Sequence, residues 1–102
     1  MDSWAIVEVG GEVDAHTAPR LREGLGELLD QGRYRIIVDT ERVEFMDSTA
    51  LGVLVSGLKR ATDHEGTLAL VCTRPNLTRL LDITGLDKIF PVYPSLDQAL
   101  AS

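Results

Sequence analysis

Cysteine is all but missing from this sequence: Cys72 is the one example. A single thiol cannot close an internal disulfide, so a reducing compartment fits. Cys72 ends the apolar run Leu68-Ala69-Leu70-Val71-Cys72 and is expected to be a small buried hydrophobe. Long apolar runs are missing too. None approaches the roughly 20 residues that span a bilayer. The start, Met1-Asp2-Ser3-Trp4, lacks the basic segment and apolar stretch of a secretory signal. The expected location is the cytoplasm. Positive charge is scarce: 10 Lys and Arg stand against 16 Asp and Glu, a formal net charge of -6. The basic residues are scattered, with no cluster to follow a nucleic-acid backbone or an anionic membrane, so neither is an expected partner. Two histidines far apart and one cysteine make no recognisable metal site. There is no G-x-x-x-x-G-K-[ST] loop for nucleotide hydrolysis. Linkers, internal repeats and low-complexity segments are also absent. The 102 residues suit one domain, 1–102, with room for one core and little for a deep catalytic cavity.

What is present is an alternation of strand and helix signals. Trp4 to Val9 carries β-formers, and Gly10-Gly11 predicts a bend or bulge. Glu12 to His16 reads as a short loop. Thr17 offers an N-cap hydroxyl with Pro19 in the first turn of a helix. Leu21, Leu25, Leu28 and Leu29 carry that helix to about Asp30, with Gly32 as its stop. Tyr34 to Asp39 reads as a central strand, buried on both faces, and Thr40 to Met46 as a loop. A second helix follows Asp47-Ser48-Thr49 and runs to about Asp63, with Leu51, Leu54, Val55 and Leu58 as its core stripe. Thr67 to Cys72 is a third strand. Arg74-Pro75-Asn76 opens a third helix carrying Leu77, Leu80, Leu81 and Ile83, ended by Gly85. Ile89 to Tyr93 is a last strand, placed at an edge by Pro91. Ser95 and Gln98 suit a capping box for a final short helix. The expected fold is α/β: one central mixed sheet of about four strands packed with about four helices.

The segment Val43-Glu44-Phe45-Met46-Asp47-Ser48-Thr49-Ala50-Leu51-Gly52 places Ser48 where a loop becomes a helix. One reading makes Asp47 or Ser48 a plain helix cap. The other makes the helix a docking surface. Ala50, Val53 and Gly57 form a second uncharged face, and Gly52 and Gly57 each weaken a helix by roughly 0.8–1 kcal/mol relative to Ala. Small outward residues would let a partner approach closely, although Gly52 or Gly57 would serve equally well against the protein's own sheet. A phosphoryl group on Ser48 would meet free backbone N–H groups and the positive end of the helix dipole. It would add about -1.5 to -2 charges beside Asp47, and Asp14 is expected nearby if the loops after parallel strands gather at one end of the sheet. A snug apolar interface would not tolerate that dianion.

Gly11-Glu12-Val13-Asp14, Thr17-Ala18-Pro19, Phe45-Met46-Asp47-Ser48-Thr49-Ala50-Leu51-Gly52 and Thr84-Gly85-Leu86-Asp87-Lys88-Ile89-Phe90 together resemble the STAS domain, and within it the bacterial anti-sigma factor antagonists. The resemblance covers nearly the whole chain. It implies a non-enzymatic switch. The unphosphorylated protein binds an anti-sigma factor that is also a serine kinase and so releases the sigma factor. Phosphorylation of Ser48 breaks the complex, and a PP2C-type phosphatase restores it. ATP and metal belong to those partners, so no cofactor is expected on this chain. The resemblance implies Asp14, Asp47, Ser48 and Thr49 as site residues, with Thr49 a minor second acceptor, and the uncharged helix face adds Ala50, Gly52, Val53 and Gly57 as expected docking residues. Three features depart from the pattern. Ala50 stands where the family often has Gly, and Thr49 where many members have Ser. A further strand usually precedes the one at Trp4, where only three residues stand here: either the sequence starts short or the sheet lacks an edge strand. An exposed edge would favour self-pairing, and a monomer or weak dimer is the expected state.

Other readings are weaker. A nucleophile elbow needs glycines where Met46 and Ala50 stand. Of the available bases, His16 could approach Ser48 if the first loop does but reads as a solvated loop residue, and His64 falls in a polar turn. A receiver domain needs an acidic pair where Gly10-Gly11 occurs, and Asp39 is expected to organise the following loop instead. A non-switching STAS role, as a stressosome-type scaffold or a lipid-transport partner, shares the fold and does not require the serine.

Overall fold

The computed structural model describes residues 3–102. In chain order the elements are β1 (Ala5–Val13), α1 (Ala18–Asp30), β2 (Arg35–Met46), α2 (Ser48–Asp63), β3 (Thr67–Val71), α3 (Pro75–Thr84), a single 3-10 turn (Leu86–Lys88), β4 (Val92–Tyr93) and α4 (Leu96–Leu100). The strands lie in the order β1-β2-β3-β4 and every pair is parallel. The expected mixed sheet is therefore a parallel one. Each strand is followed by a helix that returns the chain to the same end before the next strand starts, and this connection produces parallel neighbours.

The two faces of the sheet differ. Ile36, Val38, Leu68 and Leu70 join Leu21, Leu25 and Leu29 of α1, Leu51, Leu54 and Leu58 of α2, and Leu77 and Leu81 of α3 in one core. Ile37, Ala69 and Val71 face the other way and are covered by Ala99 of α4, with Trp4, Tyr93 and Leu96 packed alongside. β2 and β3 are thus buried on both faces, as their apolar runs predict. No helix among the described residues is long and apolar enough to cross a membrane.

Several boundaries move from their expected places. β1 continues through Glu12 and Val13, and β2 through Thr40 to Met46. The two extended halves pair with each other, Gly10 with Arg42 and Val13 with Met46, through register shifts on either side of Gly10-Gly11. Gly11, at φ 71°, supplies the left-handed backbone that the predicted bulge requires. The charged residues of β2 hide this half in the sequence, yet Thr40, Val43 and Met46 are all buried. β4 is shorter than expected: Leu86 to Lys88 form the 3-10 turn, and Phe90 is buried ahead of the strand. β4 does form an edge, where the Pro91 carbonyl accepts from Leu70 N at 2.8 Å. Ile83 is not a core residue of α3; it is 73% exposed, and the stripe is Leu77 and Leu81. The expectation about a strand ahead of Trp4 falls on residues that include Met1 and Asp2, which lie outside the described residues.

Candidate functional site

The site is built where β1 and β2 end together. Val13 and Met46 are register partners, and Asp47 N donates to Val13 O at 3.1 Å. That bond fixes Asp47 against β1 before α2 starts. Asp47 is the N-cap of α2, with its backbone extended and Oδ1 accepting from Ala50 N at 3.0 Å. Its second oxygen does different work. Asp47 Oδ2 accepts from Ala15 N at 3.1 Å, holding the β1–α1 loop against the start of α2. One carboxylate therefore caps a helix and joins two loops 32 residues apart.

Asp14 lies within that loop, and its carboxylate folds back on the loop's own amides. Oδ1 accepts from His16 N at 2.9 Å and Thr17 N at 3.1 Å. These backbone bonds, Thr17 foremost and then His16, hold the Asp14 carboxyl below the usual value of 3.8, because they favour the ionised form. Thr17 stands at the N-cap position of α1, but its hydroxyl caps nothing there. It accepts from Asp14 N at 3.0 Å and donates to Glu12 O at 2.9 Å. The Asp14 carbonyl receives Ala18 N instead, at 2.7 Å. The loop is thus fastened by its own polar groups.

Ser48 is the first residue of α2 and is exposed. Its hydroxyl has no hydrogen-bond partner among the described residues. Its amide and that of Thr49 belong to the first turn, where no intrahelical acceptor exists. Thr49 and Gly52 are also exposed, and Gly52 stands one turn beyond Ser48. An open hydroxyl, two free donors and the positive end of a 16-residue helix together suit a phosphoryl group attached at Ser48 Oγ.

Three expected docking residues do not belong to this surface. Ala50 is 0% and Val53 4% exposed, and Gly57 is buried as well. The reason is packing: α2 rests on the sheet and also against α1 beside it, so its buried stripe is wider than four residues and takes in Ala50, Leu51, Val53, Leu54, Gly57, Leu58 and Ala61. A Cβ on Gly57 would stand 3.1 Å from Leu68 Cδ1 of β3 and 3.3 Å from Leu25 Cδ1 of α1. Gly57 is small so that both neighbours can approach.

Neither histidine is hydrogen-bonded to the Ser48 hydroxyl among the described residues. His16 is exposed in the β1–α1 loop. His64 follows α2 at its far end, stacked on Tyr34 at 4.1 Å with Nδ1 3.0 Å from Arg60 O. At 1.5 Å per residue, the helix puts it roughly 24 Å from Ser48. Burial pushes the Cys72 thiol up, away from the reactive thiolate. Asp39 does organise the chain after it, Oδ1 accepting from Glu41 N at 3.0 Å.

Comparison with known proteins is consistent with this geometry. The family model described as the STAS domain matches residues 2–99. The anti-sigma-B factor antagonist of Staphylococcus aureus is 37% identical over 91 residues, which cover 89% of this chain and 84% of the relative. The crystal structure of an anti-sigma factor antagonist from Mycobacterium paratuberculosis is 35% identical, with a TM-score of 0.89 over 99% of this chain and 86% of that one. A Thermotoga maritima structure, of a proposed anti-sigma factor antagonist, is 29% identical, with a TM-score of 0.92 over 99% of this chain and 87% of that one.

Proposed function

The chain belongs to the STAS domain family, among its anti-sigma factor antagonists, and from that premise we propose that phosphate on Ser48 is its switch. The observation that carries this reading is the state of the Ser48 hydroxyl. It is exposed on the first turn of α2, unpartnered among the described residues, while its neighbour Asp47 takes over the capping role. Ser48 is free to be modified without removing the cap that holds the helix.

Unphosphorylated, the chain presents Ser48, Thr49 and Gly52 together with the loop carrying Asp14 and Asp47 to an anti-sigma factor. The bound anti-sigma factor then lets its sigma factor go. The partner is also the kinase: the γ-phosphoryl group of its ATP passes to Ser48 Oγ as the bond to the β-phosphate breaks, ADP leaves and the hydroxyl proton is released. The product carries about -1.5 to -2 charges on a face already marked by Asp47. Within the domain the charge is tolerated, since the free amides and the helix dipole favour it. In a water-excluding interface it is not: desolvating an unpaired ion costs several kcal/mol. At about 1.4 kcal/mol per tenfold, that is an affinity loss of two orders of magnitude or more. A PP2C-type phosphatase returns the chain to its binding form. ATP and metal remain on the partners, and this chain catalyses no step.

The test is reconstitution with purified anti-sigma kinases from the same genome. A complex forms without ATP, dissolves when ATP is added, and leaves one phosphate on Ser48 by peptide mass mapping. A complex that persists in ATP with Ser48 fully phosphorylated would contradict the switch.

A further inference from the structure

With Ala50, Val53 and Gly57 in the core, α2 cannot supply the apolar contact beside Ser48. Phe45 can. It stands three residues ahead of Ser48 at the tip of β2 and is 52% exposed. β3 does not cover this tip, because its last residue, Val71, pairs with Asp39. A cleft of about 310 Å3 lies there between β2 and α3, bordered by Phe45 and lined by Val43, Met46, Leu77 and Leu80. Arg74 closes one side, its Nε donating to Val43 O at 3.0 Å. Around the Arg74 guanidinium the neighbouring charged groups are carboxylates. Glu12 is the register partner of Phe45 on β1, Glu44 borders the cleft, and Asp47 follows Met46.

We propose that this cleft, with Phe45 at its mouth, is the anchor point of the docking surface and receives one apolar side chain from a basic patch of the anti-sigma partner. The inference rests on the antagonist reading above and adds to it the residues that supply affinity. Apolar anchors in desolvated pockets carry most of the binding energy of an interface, and the surrounding polar rim sets orientation and rate. Charge selects the occupant. A second copy of this chain would bring its own net charge of -6 and the same carboxylates against Glu12, Glu44 and Asp47, whereas Lys and Arg on a partner complement them. Phe45 and Met46 of the cleft precede Ser48 by three and two residues. A side chain seated beside Phe45 brings its backbone close to Ser48, so the phosphate is placed at the edge of the anchored contact.

Titration calorimetry without ATP, between the full chain and the anti-sigma kinase that binds it, tests this. Phe45→Ala weakens binding roughly 10- to 100-fold with an unchanged melting temperature, and Phe45→Leu stays within about threefold of wild type. Glu44→Lys lowers the association rate, followed by stopped flow. If Phe45→Ala binds like wild type while Ser48→Glu does not, the cleft has no such role and the switch stands. If Ser48→Glu binds like wild type, the switch fails, and the Phe45 pair still decides the cleft. A chain that binds no anti-sigma kinase overturns both. Sedimentation of the chain alone gives the last outcome: a dimer that Phe45→Ala dissolves would assign the cleft to a second copy and overturn the proposal.

Discussion

At the scale of single residues, Asp47 carries the most structure for its size. Oδ1 caps α2 and Oδ2 holds Ala15. Asp47→Ala loses both bonds and should lower stability by about 1–2 kcal/mol, seen as an earlier urea midpoint with an unchanged slope. Ser48→Ala, next to it, should leave the midpoint where it is, because the Ser48 side chain bonds to nothing in the described protein. The cap was legible in the sequence; the bridge was not, since a bond between residues 32 apart leaves no local pattern. Asp14 gives a pH signature. Its folded pKa lies below 3.8, chiefly through the Thr17 backbone bond. The ionised group therefore adds stability that is complete above the unfolded value and vanishes as pH falls through the folded one. Asn at this position keeps the Oδ1 acceptor but not the charge. The gap in urea midpoint between wild type and Asp14→Asn should hold from neutral pH down to about 4 and close below it. A gap that widens as pH falls would refute this account of Asp14.

At the scale of elements, α2 shows why small residues mislead. Ala, Val and Gly along one helix face suit a partner's approach and suit a crowded core equally well. Only the position of α1 decides, and sequence periodicity does not record it. The two central glycines of α2 separate the cases. Gly52 is exposed, and a methyl added there would meet open space, so Gly52→Ala should raise stability by roughly 0.8–1 kcal/mol through helix propensity. Gly57→Ala gains the same propensity but pushes its methyl against Leu68 and Leu25. Its gain should be smaller or reversed, and Gly57→Val should be clearly destabilising. Thermal melts of the three variants check the order. β2 offers a second lesson. Its first half announced itself by three consecutive apolar residues, Ile36, Ile37 and Val38. Its second half interleaves Glu41, Arg42 and Glu44 with buried Thr40, Val43 and Met46, and became a strand because β1 was there to pair with it.

At the scale of the whole molecule, the alternation of strands and helices was enough to read an α/β sheet of four strands packed with four helices, but the sheet was expected to be mixed, and it is parallel because each helical crossover returns the chain to the same end. The same topology puts the loops after β1 and β2 at one end of the sheet and starts α2 between them. Ser48 is thereby carried on a rigid element, where a phosphate on its exposed hydroxyl would meet the helix terminus and not the core. The fold should accept the modification: phosphorylated chain and Ser48→Glu should melt within a few degrees of wild type, while partner binding changes by orders of magnitude. Intact mass and phosphosite mapping of the chain taken from its native cells, with phosphatases inhibited, tests the central claim most directly. The account predicts a species heavier by one phosphoryl group, located on Ser48, whose abundance changes with growth condition. Phosphate confined to another residue, or none under any condition, would contradict it.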